Sequence, residues 1–349
     1  MSFARIAFRR SRFTLRTQWV VLMFAAALAG LAPPLNLDGL PISGTLRLAA
    51  AGGTLNIDRL ALKVAGGEIR GQLALSSLGE RRRIEARLGF DELTVAKLFA
   101  PLLNQRFAVT AAAEAAVSGR QNPWPDETFD GAVLDGFEGS IRLTAKRLAL
   151  AEGITLSQAS VDVDLGGGKI DVKRIEGAAL GGRISATVSI GKVPAGADVS
   201  GTLRLEDGAL DAWSSDPGGR PHASGSVRAT LNFSGKGTSP RNVISALQGG
   251  GSIELRDARL SALWPGAVGL GVEAALKVEP DKMPATLKLA LASGLSAGQL
   301  QIGPKTLEIE IADGQLRAKP FAVDTSDGRA SGVASVDLRT LAFDTEWRL

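Results

Sequence analysis

The stretch Gly168-Lys169-Ile170-Asp171-Val172-Lys173-Arg174-Ile175-Glu176-Gly177-Ala178-Ala179-Leu180-Gly181-Gly182-Arg183-Ile184-Ser185-Ala186-Thr187-Val188-Ser189-Ile190 decides the fold. Ile170 and Val172 alternate with Asp171 and Lys173, the period of two that turns one face of a strand to a core and the other to water. At Lys173-Arg174 two polar residues follow one another and the phase slips by one. A β-bulge or short bend there returns the apolar set to its face. Gly181-Gly182 supplies the positive φ that a tight turn needs, and Ile184, Ala186, Val188 and Ile190 resume the alternation. The segment reads as an antiparallel hairpin.

The same pattern stands at two other places. One runs from Gly53 through Leu55, Ile57, Leu60, Leu62 and Val64 to Gly67, then Ile69, Gly71, Leu73 and Leu75. The other runs from Gly314 through Leu316, Ala318, Phe321, Val323 and Thr325 to Gly328, then Ala330, Gly332, Ala334 and Val336. In all three the two framing glycines are fourteen positions apart. Asp58-Arg59 and Lys319-Pro320 repeat the phase slip, and Gly66-Gly67 and Asp327-Gly328 repeat the turn. Leu35-Asn36-Leu37, Leu46-Arg47-Leu48, Leu203-Arg204-Leu205 before Asp207-Gly208, and Leu287-Lys288-Leu289-Ala290-Leu291 follow the same grammar. So does Leu307-Glu308-Ile309-Glu310-Ile311, which leads into the turn signal Asp313-Gly314.

Composition agrees. The 349 residues include 42 Gly, no Tyr and 5% aromatics against 45% apolar residues overall, which suits many short strands better than helical layers. The fold class is therefore all-β and mostly antiparallel: repetitive amphipathic hairpins forming an elongated curled sheet or groove, with two or three short helices and an N-terminal hydrophobic segment. One helix is expected over Thr94 to Leu103. Another is expected over Ser239 to Gln248, with Ser239 as N-cap, Pro240 in the first turn and Gly249 past the end. Asn122 to Glu127 and Asp216 to Pro221 read as loops.

The N-terminus carries Arg5, Arg9, Arg10, Arg12 and Arg16, followed by the uncharged run Trp19 to Ala32 and Pro33-Pro34. As a helix that run spans about 21 Å, short of the roughly 30 Å hydrocarbon core. It reads as a signal peptide or short anchor, with retention favoured and small residues Ala27, Ala29 and Ala32 open to cleavage. The Arg-rich end then lies in the cytoplasm and the body outside. These arginines account for the whole excess of charge, since the chain beyond residue 37 holds 35 positive and 36 negative residues. The body thus has no basic stripe for a phosphate backbone, and no nucleic-acid partner is expected.

No catalytic apparatus is legible. There is no Cys, and His222 is the single histidine, in the loop sequence Arg220-Pro221-His222. Asp126, Glu127, Asp130 and Asp135 offer oxygen ligands, yet acids in a Pro-rich loop are ordinarily solvated, and no metal or cofactor is expected. Gly166-Gly167-Gly168-Lys169-Ile170 lacks the spaced first glycine and the Ser/Thr of a phosphate loop, and Gly235-Lys236-Gly237-Thr238 fails likewise. Asp162 and Asp164 belong to the solvent side of a strand. Trp124, Trp213, Trp264 and Trp347 read as packing anchors. Hairpins separated by 115 and 146 residues also exclude the short coils of a solenoid enzyme.

The helix at Ser239, followed by Leu247-Gln248-Gly249-Gly250-Gly251-Ser252-Ile253-Glu254-Leu255-Arg256-Asp257-Ala258-Arg259-Leu260, resembles the C-terminal region of AsmA-like proteins. The repeats and the basic-then-apolar N-terminus extend the resemblance over most of the chain. It implies an inner-membrane-anchored protein with a periplasmic β-sheet groove, acting in phospholipid transport or outer-membrane biogenesis. Members are usually longer, and the stop at Trp347-Arg348-Leu349 inside an alternating strand suggests a truncated one. The expected organisation is a leader and anchor over 1–34, a repetitive sheet over 35–238, and an AsmA C-terminal-like helix and sheet over 239–349.

A one-sided apolar sheet must be covered, either by its own faces as in a sandwich or flattened barrel, or by another apolar body such as lipid acyl chains. In the second case Leu55, Ile57, Leu73, Leu75, Ile170, Val172, Val188, Ile190, Ile253, Leu255, Leu316 and Phe321 are the candidate lipid-facing residues, acting collectively, and membrane phospholipid is the partner. The alternative is a structural or assembly factor that pairs its sheet edges with other envelope proteins.

Overall fold

The computed structural model describes residues 42–94, 137–212 and 222–349, together with 124, 126–129 and 135, and excepting 52, 65–66, 79–80, 152–153 and 195. The expected leader, the helix expected after Thr94, the strand at Leu35 and the loop before His222 lie outside the described residues.

The chain is all-β, with sixteen strands in one sheet among the described residues. They are β1 (Ile42–Ala51), β2 (Thr54–Val64), β3 (Gly67–Leu78), β4 (Arg81–Thr94), β5 (Phe137–Ala151), β6 (Ile154–Gly166), β7 (Lys169–Ala179) and β8 (Gly182–Val193). Then follow β9 (Gly196–Ala209), β10 (Ala223–Gly237), β11 (Gln248–Ser261), β12 (Gln299–Ile302), β13 (Lys305–Ala312), β14 (Gln315–Thr325), β15 (Gly328–Asp337) and β16 (Ala342–Arg348). Three short helices accompany them: α1 (Pro240–Ser245), α2 (Gly266–Ala275) and α3 (Met283–Ala297). Strand order in the sheet is strand order in the chain, except that β12 pairs beside β13 on β11. Among the described residues the path has two ends, β1 and β16, and does not close into a barrel.

Most neighbours are antiparallel, as hairpins require. The departure is β4 against β5, which run parallel from Arg82↔Phe137 to Thr94↔Ala149. A parallel step cannot be made by a tight turn, and the chain gives it the long connection over 95–136.

The three repeated segments form the hairpins β2–β3, β7–β8 and β14–β15. The phase slips are structural: register shifts between Ile57 and Leu60 in the first and between Ala318 and Phe321 in the third. In all three strands the slipped pair, Asp58-Arg59, Lys173-Arg174 and Lys319-Pro320, is exposed side by side. The opening glycines share a left-handed backbone, with φ of 78° at Gly53, 74° at Gly168 and 70° at Gly314. The second hairpin turns one residue earlier than the sequence suggests, on Leu180 (φ 57°) and Gly181 (φ 76°). Asp207-Gly208 is not a turn at all; Asp207 (φ 51°) lies within β9, which runs on to Ala209.

A further correction concerns Leu287-Lys288-Leu289-Ala290-Leu291, which belongs to α3 rather than to a strand. Five alternating residues fit either period. Here Pro284 in the first turn and Gly298 at the C-cap bound a helix, and the spacing Leu287, Leu291, Gly294 is equally that of a helical face. The expected helix after Ser239 is present as α1; Ser239 is buried and its hydroxyl accepts from the Asn242 N–H at 3.3 Å.

The described chain divides into two compact units. The first holds residues up to Gly177 with Ala186–Ser200 and Lys236–Val243; the second holds Ala178–Ser185, Gly201–Gly235 and Ile244–Leu349. In the first, cross-strand pairs such as Leu143↔Val161 and Leu148↔Leu156 form the core, and Leu156 is fully buried. The opposite face is polar and laced across strands. Asp162 on β6 accepts from Arg142 on β5 at 3.0 Å and from Arg174 on β7 at 2.6 Å. In the second, Ala258, Leu300, Ile302, Val323 and Ala330 form a buried cluster on which Leu210, Leu255, Leu260, Leu263, Phe321 and Trp347 pack.

Candidate functional surface

The polar chemistry weighed from the sequence resolves into structural contacts. Asp126 pairs with Arg241 at 2.5 Å, and Asp135 pairs with Lys192, so two of the four loop acids serve as ion-pair partners; Asp130 lies outside the described residues. Asp162 is drawn up by burial, but the hydrogen bonds from Arg142 and Arg174 outweigh it and hold the carboxyl below its usual range. The carbonyl of exposed His222 accepts from the Ser261 N–H at 2.8 Å. A depression lined by Glu68, Arg70, Asp91, Thr144, Lys146 and Ser160 has its charged lining paired internally, Arg70 with Glu68 at 2.7 Å and Lys146 with Asp91 at 2.8 Å. Among the described residues no three His, Cys, Asp or Glu side chains are grouped to hold a metal ion. Gly167 and Gly168 turn the chain between β6 and β7.

The apolar face is the more extensive surface. In the first unit Leu55 stands opposite Leu75 and Ile57 opposite Leu73, so these four share a face. Ile170, Val172, Val188 and Ile190 occupy the matching offsets of the second hairpin. In the second unit Ile253 and Leu255 lie on β11. Leu316 faces Val336 and Phe321 faces Gly332, which the alternation of β15 puts on one side.

None of the twelve is exposed, and they divide into two groups. Leu55, Ile57, Ile170, Val172 and Ile190 are buried by the protein itself, Ile190 to 3% of its surface. Leu73, Leu75, Val188, Ile253, Leu255, Leu316 and Phe321 are half-buried. Of these, Leu255 and Phe321 pack on the cluster around Leu300, where Phe321 also meets Trp347 edge to face at 5.4 Å. The accessible apolar residues are therefore Leu73, Leu75 and Val188 in the first unit and Ile253 and Leu316 in the second.

One residue of this face was not singled out from the sequence. Phe343 on β16 stands opposite Val336, whose other neighbour is Leu316, and it is 70% exposed. Its signal is present in the alternation of Phe343, Thr345 and Trp347. Trp264 anchors locally, as expected, with its Nε1–H donating to Asp327 at 2.8 Å. No helix among the described residues is long and apolar enough to cross a membrane.

No curated protein and no solved structure matches the chain. The AsmA family model matches residues 88–321, about two thirds of the chain, from β4 into β14. That span takes in the parallel step, the middle hairpin, α1 and the glycine-rich start of β11. With two thirds of its length matched, this chain belongs to the AsmA family.

Proposed function

We propose that the chain is a non-enzymatic envelope protein whose apolar sheet face forms a groove for phospholipid acyl chains, serving phospholipid transport or outer-membrane biogenesis. The carrying observation is the one-sided alternation itself: the hairpins repeat with their apolar residues at matching offsets, and Leu73, Leu75 and Val188 of the first unit and Ile253 and Leu316 of the second remain half-accessible. Its partner is membrane phospholipid, and the body works on the periplasmic side of an inner-membrane anchor supplied by the Arg-rich leader. Burying one methylene contributes about 0.8 kcal/mol, so a chain laid along several residues is held collectively and no single side chain dominates. Asp introduced together at Leu73, Leu75 and Val188 should remove that hold.

The test is mass spectrometry of an organic extract of the exported protein, purified without detergent. Stoichiometric phospholipid that disappears in the triple Asp variant, with the far-UV circular dichroism unchanged, supports the groove. A lipid-free, monodisperse wild-type protein sinks it.

A second reading has its own observation. β16 ends the strand path with Phe343 uncovered, so the sheet can be extended there by a strand of another envelope protein. Pro at Thr345 would then abolish partner binding while the Asp variants retain it.

A further inference from the structure

The hairpin of α2 and α3 is built inside out for a watery setting. Its buried positions are the small ones: Ala267, Gly271 and Ala275 on α2 and Gly294 on α3. A methyl group added at Gly271 would lie 2.9 Å from Leu291 and 3.0 Å from Leu287, and one at Gly294 would lie 2.9 Å from the Ala267 Cβ, so the helices meet through their glycines. Beside Leu287 and Leu291, which close on Gly271, five large apolar residues point outward. Val268, Leu270 and Val272 are exposed, and Leu276 and Leu289 are 71% and 74% exposed. In water a helix pair associates by burying its large side chains, whereas in lipid no hydrophobic force joins them and close small-residue contact does. A helix that is apolar nearly all round belongs in a core or a membrane, and α2 has one charged residue, Glu273.

We propose that this hairpin is a bilayer-contacting element, its outer face seated among lipid acyl chains at a membrane surface. At 10 and 15 residues the helices reach about 15 and 22 Å, too short to span, so they lie in the interface. The charges suit that position. Glu273 pairs with Lys277 at 2.6 Å and Glu279 with Lys282 at 2.9 Å, which leaves Lys288 and Asp281 to face headgroups. The base is fastened to the sheet. Trp264 packs on the Gly266 and Gly298 backbone and is tied to Asp327, while neighbouring Leu263 joins the cluster that holds Leu255 and Phe321. The hairpin is thus joined to the apolar cluster of the second unit, and the inference rests on the proposed groove only for what the contact delivers.

The chain has no cysteine, so one introduced residue reports its own position. Full-length protein carrying Leu289→Cys, labelled with an environment-sensitive fluorophore, is mixed with phosphatidylethanolamine/phosphatidylglycerol vesicles whose acyl chains are brominated. The expected result is a blue shift and quenching at position 289, with neither at the exposed strand residue Asn232→Cys. Leu270→Asp with Leu276→Asp should abolish the quenching at 289 even when the leader keeps the chain on the vesicle. An unquenched label on vesicle-bound protein overturns the proposal, as does pyrene excimer formation at 289, which assigns the face to a second copy. Lipid-loaded protein with an unquenched hairpin defeats this inference alone; a quenched hairpin on lipid-free protein defeats the groove and leaves the contact standing.

Discussion

Asp126 and Arg241, 115 positions apart in the chain, meet side chain to side chain at 2.5 Å. Near them the Phe129 N–H donates to the Thr238 carbonyl at 2.9 Å, and Asp135 pairs with Lys192. The residues before β5 are thereby tied to the start of α1 and to β8 within one unit.

Both members of that pair are largely exposed, and exposed pairs contribute at most about 1 kcal/mol. Arg241→Glu should therefore leave the global denaturant midpoint almost unchanged while exposing the chain near Asp126 to protease. Asp126→Arg combined with Arg241→Glu should restore protection. Limited proteolysis with mass mapping reads this, and equal cleavage in the single and double variants would refute it.

Gly71 stands across from Leu60 at the first bulge, with φ 151°, and a Cβ there would lie 2.0 Å from the Arg87 carbonyl oxygen. Gly71→Ala should destabilise by about 1–3 kcal/mol or prevent folding. Gly167, with φ 62° and nothing within 4 Å, should accept Asn at little cost. Thermal melts of the two variants provide the comparison.

Leu156 is fully buried against Leu148, whereas Leu289 is 74% exposed. Leu156→Ala should cost about 2–5 kcal/mol in urea unfolding through lost burial and a cavity. Leu289→Ala should fall within about 0.5 kcal/mol of wild type in vesicle-free buffer.

The Asp337 carboxyl is held down to about 2 by hydrogen bonds from the Arg339 side chain, at 2.8 and 2.6 Å, and from its backbone N–H at 2.9 Å. A depressed carboxyl contributes stability above its unfolded pKa of about 3.9 and loses it as pH falls towards the folded value. The turn joining β15 and β16 should therefore hold down to about pH 4 and loosen between about 4 and 2. In Arg339→Ala the Asp337 resonance should titrate near the ordinary carboxylate value; carbon NMR of that side chain decides.

Much of the fold was legible because the sheet is built from local pairings. The alternation about Ile170 and Val172, the phase slip at Asp58-Arg59 and the turn at Asp313-Gly314 are properties of a dozen neighbouring residues. Each became the strand, bulge or turn they imply. What was not legible depends on distant chain. The parallel step from β4 to β5 leaves no mark in either strand's alternation. At Leu287 a short two-fold pattern is overridden by the helix bounds Pro284 and Gly298 together with packing on Gly271, sixteen residues earlier. The apolar set could be named from its period, but its division into covered residues such as Leu55 and accessible ones such as Leu73 could not. That division is set by what lies across the face, and periodicity carries no such information.

The agreement between strand order and chain order bears on how the protein is made. Each new strand finds its docking edge already in place when it emerges, so assembly can run in the direction of synthesis with short loop closures and little search. Two events break that queue. β5 must wait for its long connection before it lies along β4, and Asp126 must wait for Arg241, by which time ten strands have formed. The salt bridge is therefore a late stitch, closed only after the first hairpins have zipped.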